Sequence, residues 1–461
     1  MSDCMRQIDE RSAGTDMTTG SIPRQMIFFS LPLMLGSLLQ ESYNFVDAIV
    51  VGNFVGKGAL AAVGMSLPVV TMIIGLFMGM SNGTTVVIAR YFGTKDHEKM
   101  RGAVHTSVLL AAFLGVISAL TGIAITPWLL YTINTPSEIF DEAVIYFSVF
   151  FAGLPALMIY NMGTAILNAL GDSQRPLLLL AIAIVVNLAL NMLFVVGFHF
   201  GIAGAAGATV ISEAGSAVLV LIIISRPGLP CRLERRFLHV DLLIIGEILR
   251  IGAPISVRIL INGASNLFMQ WYINGLGASV IAGWGITAKI DAFIFTMAGA
   301  VALGVTTFVG QNLGAGNVQR ARRGVMVALV FALAVTFVIS AILLLLNYRF
   351  LRLFTSDIEV LSCAFTFMMV LTTSYFIMSI PAILQNALTA GGQSLAATVT
   401  NIFSHVIVRQ IYLLVIARIV YTPVAVAMAY PLAWVISGIL LVWLYIRNDW
   451  KTFARPSVRD A

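Results

Sequence analysis

FSLPLMLGSLLQESYNFVD, residues 29–47, and IGAPISVRILINGASNLFM, residues 251–269, are two versions of one segment. Pro32 falls on Pro254 and Asn44 on Asn266, a separation of 222 residues. Farther along, AILNALGDSQ (165–174) and AILQNALTAGGQS (382–394) place Asn168-Ala169-Leu170 on Asn386-Ala387-Leu388 at a separation of 218. One architectural unit is therefore used twice along the chain.

Each unit is apolar to a degree that excludes a soluble core. Hydrophobic residues make up 59% of the 461 and charged residues 10%, against roughly a quarter charged in soluble domains. The windows 58–89, 102–137, 143–171, 176–212, 259–288, 292–319, 324–348, 360–408 and 419–446 hold no Asp, Glu, Lys or Arg. A bilayer-crossing helix needs about 20 apolar residues, so the chain reads as an all-α polytopic membrane protein with twelve transmembrane helices. Six spans per repeat is an even number, which gives both repeats the same orientation and relates the two six-helix lobes by a pseudo-twofold along the membrane normal. The expected division is an N-terminal tail (1–25), an N-lobe (26–225), a linker (226–246), a C-lobe (247–447) and a C-terminal tail (448–461).

Charge orients the spans. Of 27 Lys and Arg residues, 20 lie in the two tails and in the connections after spans 2, 4, 6, 8 and 10, whereas the opposite side holds Lys57, Arg349 and Arg352. By the positive-inside bias both termini are expected in the cytoplasm, and the net charge of +6 is topological rather than a sign of nucleic-acid binding. The polar first twenty residues lack an apolar h-region, so no cleaved leader is expected. Cys4, Cys231 and Cys363 are far apart and show no metal-ligand spacing. No Walker A loop, HExxH or paired nucleophile and base is present, so neither an enzyme nor a resident metal or cofactor is expected.

The stretches LLQESYNFVDAIVVGNFVGKGALAAVG, YNMGTAILNALGDSQRP and NLFMQWYINGLGASVIAGWGITAKID…TTFVGQNLGAGN resemble the multidrug and toxic compound extrusion (MATE) family, from about residue 18 to 450. The resemblance implies a twelve-helix exporter whose lobes face each other across a cleft. It further implies exchange of cytoplasmic organic, often cationic, compounds for protons or sodium ions. The expected partners are drug-like small molecules and the bilayer. The expected form is a monomer in the cytoplasmic (inner) membrane of a prokaryote.

Helical periodicity puts Gln40, Tyr43, Asn44 and Asp47 on one stripe of span 1, with Glu41 beside it. A carboxylate at membrane depth costs at least ~2.5–3.5 kcal/mol on insertion scales, so it faces a cavity, finds a partner or takes a proton. Asp47 matches the family's embedded acid and is assigned ion coupling; a carboxyl held for helix packing is the alternative. In span 5 the family pattern of Asn followed four residues on by Asp reads NLALN here: Asn187 matches, and Asn191 replaces the acid. That loss weakens a sodium site built from Asp47, Asn187, Asn191 and Thr209 and favours protons, with sodium still open. Glu41 and Glu213 stand where related sequences usually carry Gln, and either could replace the missing acid, meet a cationic drug or serve only helix packing. Asn161 of span 4 matches a pocket-lining family position.

The second half is charged differently. Met269 occupies the position of Asp47, and His405 and Arg409 fall where the first half has Asn187 and Asn191. A buried Arg needs an anion or a set of carbonyls, and Asp291 is the expected partner of Arg409. With Arg258 these residues form a C-lobe polar network, either structural or engaged in substrate or proton handling. Asn262, Asn266 and Met269 make a cleft-facing stripe expected to bind substrate. The basic cluster also keeps open a different class, a flippase of a lipid-linked precursor. Pro32 and Pro254, each early in its span, are the expected flexing points, and Gly83-Thr84 with Gly304-Val305-Thr306 reads as close helix packing through small residues.

Overall fold

The computed structural model describes residues 15–50, 54–55, 57–132, 135–234 and 239–450, and for 44–50, 57–69 and 417 the helical backbone alone. Asn44 and Asp47 fall in the last group, so their side chains lie outside the described residues. No strand occurs among the described residues, because a backbone crossing lipid must satisfy its own hydrogen bonds and the apolar windows do so as helices.

The first half runs through α1 (Ile22–Val50), α2 (Lys57–Thr94), α3 (His97–Thr132), α4 (Phe140–Ala169), α5 (Gln174–Asn191) and α6 (Gly201–Ile224). The second half begins with α7 (Leu242–Asn274), α8 (Ala278–Gly314) and α9 (Val318–Leu351). It continues with α10 (Ile358–Thr372), α11 (Tyr375–Ala390), α12 (Ser394–Ile402), α13 (Arg409–Ile419), α14 (Pro423–Ala427) and α15 (Ala429–Arg447). A π-helical turn follows α5 at Met192–Gly197, and another joins α12 to α13 at Phe403–Val408. Among the described residues ten helical stretches are long and apolar enough to cross a membrane, and eleven if α10 and α11, bent by 50° at their break, form one span. α7 completes the twelve segments expected from the sequence. Its 33 residues reach about 50 Å, but Arg258, Asn262, Ser265 and Asn266 lower its apolar content.

The helices group into two compact units, one built on Leu35–Gly252 and the other on Met17–Met34 together with the chain after Gly252. The division cuts through α1 between Met34 and Leu35 and through α7 between Gly252 and Ala253. Each cut falls beside one of the duplicated prolines, Pro32 or Pro254, both of which are inside a helix. The first part of α1 thus belongs with the second half of the sequence, and the first part of α7 with the first half.

Small residues make that exchange possible. A Cβ on Gly83 of α2 would lie 2.6 Å from the Ile248 carbonyl oxygen of α7, and one on Gly252 would lie 2.8 Å from the Gly79 carbonyl oxygen. In the other unit, a Cβ on Gly304 of α8 would lie 2.7 Å from Ser30 Oγ of α1. The chain ahead of each crossing is also tied down. The Arg320 guanidinium donates to the carbonyls of Met17 (3.1 Å), Thr19 and Gly20 (both 2.8 Å) and to Gln25 Oε1 (2.8 Å). His105, fully buried, accepts the Glu234 N–H at Nε2 (3.0 Å) and lies 2.7 Å from the Arg101 carbonyl through Nδ1, while Thr106 Oγ1 accepts the Asp241 N–H at 3.1 Å.

Candidate functional site

Each unit contains its own buried polar cluster. In the first, Asn187 and Asn191 sit one turn apart on α5, 2% and 1% exposed. Asn191 Nδ2 donates to Asn187 Oδ1 at 2.7 Å, and Asn187 Nδ2 donates to Thr209 Oγ1 of α6 at 3.2 Å. The Thr209 hydroxyl donates to the Ala205 carbonyl at 3.3 Å, which leaves it to accept from the Tyr43 hydroxyl, also at 3.3 Å. A hydroxyl offers one donor and two acceptor sites, and Thr209 uses all three. The chain therefore joins α5, α6 and α1 one turn before Asp47.

The remaining residues expected at this site are placed less tightly. Gln40 is exposed and Glu41 half-buried, with no ion pair to a described residue. Glu213, half-buried on α6, lies within electrostatic range of Tyr160 of α4. Asn161 donates to the Leu157 carbonyl of its own helix at 3.0 Å and is not hydrogen-bonded to the Thr209 cluster.

In the second unit, α7, α8, the π turn at Phe403–Val408, α13 and α15 surround a cavity of ≈ 330 Å³. Asn262, Asn266, Asp291, His405 and Arg409 all line it, along with Trp284, Tyr430 and Trp434. Arg409 is 3% exposed. Its Nη2 donates to Ser265 Oγ at 2.6 Å and Asn266 Oδ1 at 2.9 Å, and its guanidinium lies 5.2 Å from the centre of the Tyr430 ring. Asp291, 7% exposed, accepts a hydrogen bond from the Tyr375 hydroxyl. The ion pair expected between Arg409 and Asp291 is therefore not formed: each has found neutral partners instead. Asn262 Nδ2 donates to Asn401 Oδ1 at 2.9 Å, and Asn401 Nδ2 to Gln385 Oε1 at 3.3 Å. His405 sits in the π turn, its Nδ1 3.3 Å from the Asn401 carbonyl.

Met269 departs from its expected place. It is 1% exposed and packs in the aromatic core with Tyr272, Trp284 and Trp434, so the stripe of Asn262 and Asn266 ends before it. A thioether has no polar atom requiring the cavity and is better buried among rings. Arg258 has a buried Nε without a hydrogen-bond partner and lies within electrostatic range of His405. The residues not expected from the sequence are the uncharged partners: Tyr375 on Asp291, Tyr430 on Arg409, Asn401 on Asn262. Aromatic residues are common in membrane helices, and these partners lie up to 139 residues away, so no local pattern marked them.

Buried polar clusters in an internally duplicated, all-helical, multi-pass chain define a membrane transporter. A profile of the MatE family matches residues 32–193 and 254–416, each match beginning at one of the paired prolines, and the chain belongs to that family. It is 27% identical over 445 residues, 94% of its length and 95% of the other's, to the probable multidrug resistance protein YoeA of Bacillus subtilis. To YpnP of the same organism, also a probable multidrug resistance protein, it is 31% identical over 307 residues, covering 66% of this chain and 68% of that one. Its fold matches that of a MOP superfamily transporter from Pyrococcus furiosus with a TM-score of 0.89 at 22% identity, over 96% and 99% of the two chains.

Proposed function

We propose that this chain exports small organic, often cationic, compounds from the cytoplasm in exchange for protons, by alternating access, from a prokaryotic inner membrane with both termini inside. Asp47 takes a proton from the outward-facing side; the Tyr43 end of α1 then shifts against Thr209 and Asn187, drug leaves, and the proton is delivered to the cytoplasm. The observation that carries the reading is the hydrogen-bonded chain Asn191–Asn187–Thr209–Tyr43. It supports protons over sodium because Asn187 Oδ1 and Thr209 Oγ1 already accept from amide and hydroxyl donors, whereas a sodium ion would need those oxygens for itself. Pro32 and Pro254 are the flexing points, each at the border where its helix passes from one compact unit to the other.

The test is efflux from proteoliposomes under an imposed pH gradient or an imposed sodium gradient. The pH gradient drives efflux in the wild type and fails to do so in Asp47→Asn. Efflux retained in that variant overturns the assignment, and loss in Glu213→Gln with Asp47→Asn intact moves coupling to α6.

A further inference from the structure

The cavity of the second unit holds positive charge that the proton cycle does not use. Arg409 has a buried Nε with no hydrogen-bond partner, and its Nη2 contacts are to neutral oxygens of Ser265 and Asn266. Asp291 is the one carboxylate among the lining residues, and it is engaged by Tyr375. A guanidinium removed from water without an anion is costly. It is retained where it meets a ligand that supplies the anion. The walls indicate the rest of that ligand: Trp284, Tyr430 and Trp434 line a space of ≈ 330 Å³, near the lower limit of about 300 Å³ for small-molecule sites. Asn262, another lining residue, has a buried Oδ1 without a donor.

We propose that this cavity binds a small aromatic carboxylate, with the carboxylate on the Arg409 guanidinium and the ring system against Trp284, Tyr430 and Trp434. A planar guanidinium matches a carboxylate in geometry as well as charge, and a monoanion is less costly to desolvate than a phosphate.

The probe is 2-naphthoate, titrated against the purified full-length chain in nanodiscs, with 2-naphthamide and 2-naphthylmethylammonium as uncharged and cationic isosteres. Because charge-assisted hydrogen bonds are about twice as strong as neutral ones, the naphthoate binds about tenfold more tightly than the amide. Arg409→Gln reduces its affinity to that of the amide, and Arg409→Lys keeps part of the preference. Loss of the charge preference with amide binding retained is not what a damaged fold produces. Equal or tighter binding of the amide or the ammonium by the wild-type chain overturns the proposal, and so does an Arg409→Gln variant that still prefers naphthoate. Binding is read without any ion gradient, so the result stands independently of the coupling role of Asp47.

Discussion

Gly83 of α2 and Gly252 of α7 meet backbone to backbone: a Cβ on Gly83 would lie 3.0 Å from the Gly252 nitrogen as well as 2.6 Å from the Ile248 carbonyl oxygen. The repeat places Gly304 and Ser30 at the matching crossing of the other unit, where a hydroxymethyl group replaces one glycine and the approach is to a side chain, at 2.7 Å. The two crossings are therefore unequal in tolerance. Backbone cannot retreat as a serine rotamer can, so Gly83→Ala forces α2 and α7 apart, at a cost of about 1–3 kcal/mol expected for overpacking. Gly304→Ala costs less, because Ser30 Oγ can rotate. Gly299→Ala, on the same helix α8 with no atom within 4 Å of the added methyl, is neutral or stabilising, by up to about 1 kcal/mol from helix propensity. Thermal unfolding in detergent should rank the three variants in that order.

Thr209 joins three helices through one oxygen, which makes it the most sensitive member of the first cluster. Thr209→Val keeps the shape but removes the acceptor of the Asn187 amide and the contact to the Tyr43 hydroxyl. An unpaired buried amide costs about 1–3 kcal/mol, so the variant should unfold at a visibly lower temperature. Thr209→Ser retains the hydroxyl and should remain near wild type. If Tyr43 couples Asp47 to this cluster, Thr209→Val also slows pH-driven efflux while Thr209→Ser does not. A valine variant as stable and active as wild type would remove the cluster from the mechanism.

The membrane class and the duplication were legible in the sequence because both follow from periodicities that one chain carries by itself: charge-free windows long enough for a span, and Pro32, Asn44 and Asn168 repeating at nearly constant separations. The grouping of Asn187, Asn191 and Thr209 was legible only through the resemblance to the family, whose pattern in span 5 carries a polar pair four residues apart. What could not be read was how buried charges are satisfied. Arg409 and Asp291 have opposite signs and near positions, and Coulomb attraction alone predicts a pair. Each instead took a neutral partner from another helix, Asn266 and Tyr375. That choice depends on rotamers and helix rotation, which hydrophobic patterning leaves unspecified. Met269 shows the same limit: the repeat put it opposite Asp47, yet an apolar side chain has no reason to follow a carboxylate toward a polar space.

Arg320 holds the carbonyls of Met17, Thr19 and Gly20 together with Gln25 Oε1, four acceptors on one guanidinium. Removing it frees the chain ahead of α1 without touching either polar cluster. Arg320→Ala should therefore raise the rate of trypsin cleavage after the exposed Arg24 by several-fold, since local opening controls access for the protease. Arg320→Lys, a point charge without the planar fork, should recover only part of the protection. Unchanged cleavage in the alanine variant would show that Met17, held also by Gln311 and Asn312, anchors the segment without Arg320.

Cys231 lies outside the spans, in the turn after α6, and is 2% exposed. Burial pushes its thiol from 9.0 up to about 12, because a thiolate there would be removed from water. Two consequences follow, of which the first is kinetic. The thiolate is the reactive form, so maleimide labelling of the Cys231 peptide at pH 8 should be far slower than that of a free thiol and should rise sharply in denaturant. The second is thermodynamic, and its sign is fixed by linkage. The folded value is the higher one, so the unfolded chain releases its proton first. The stabilising contribution of the buried neutral thiol is complete below pH 9 and declines as pH rises from 9 toward 12. The wild type should therefore lose more thermal stability than Cys231→Ser between pH 8 and pH 10.5, and an equal loss in the two proteins would mean that Cys231 is accessible to water.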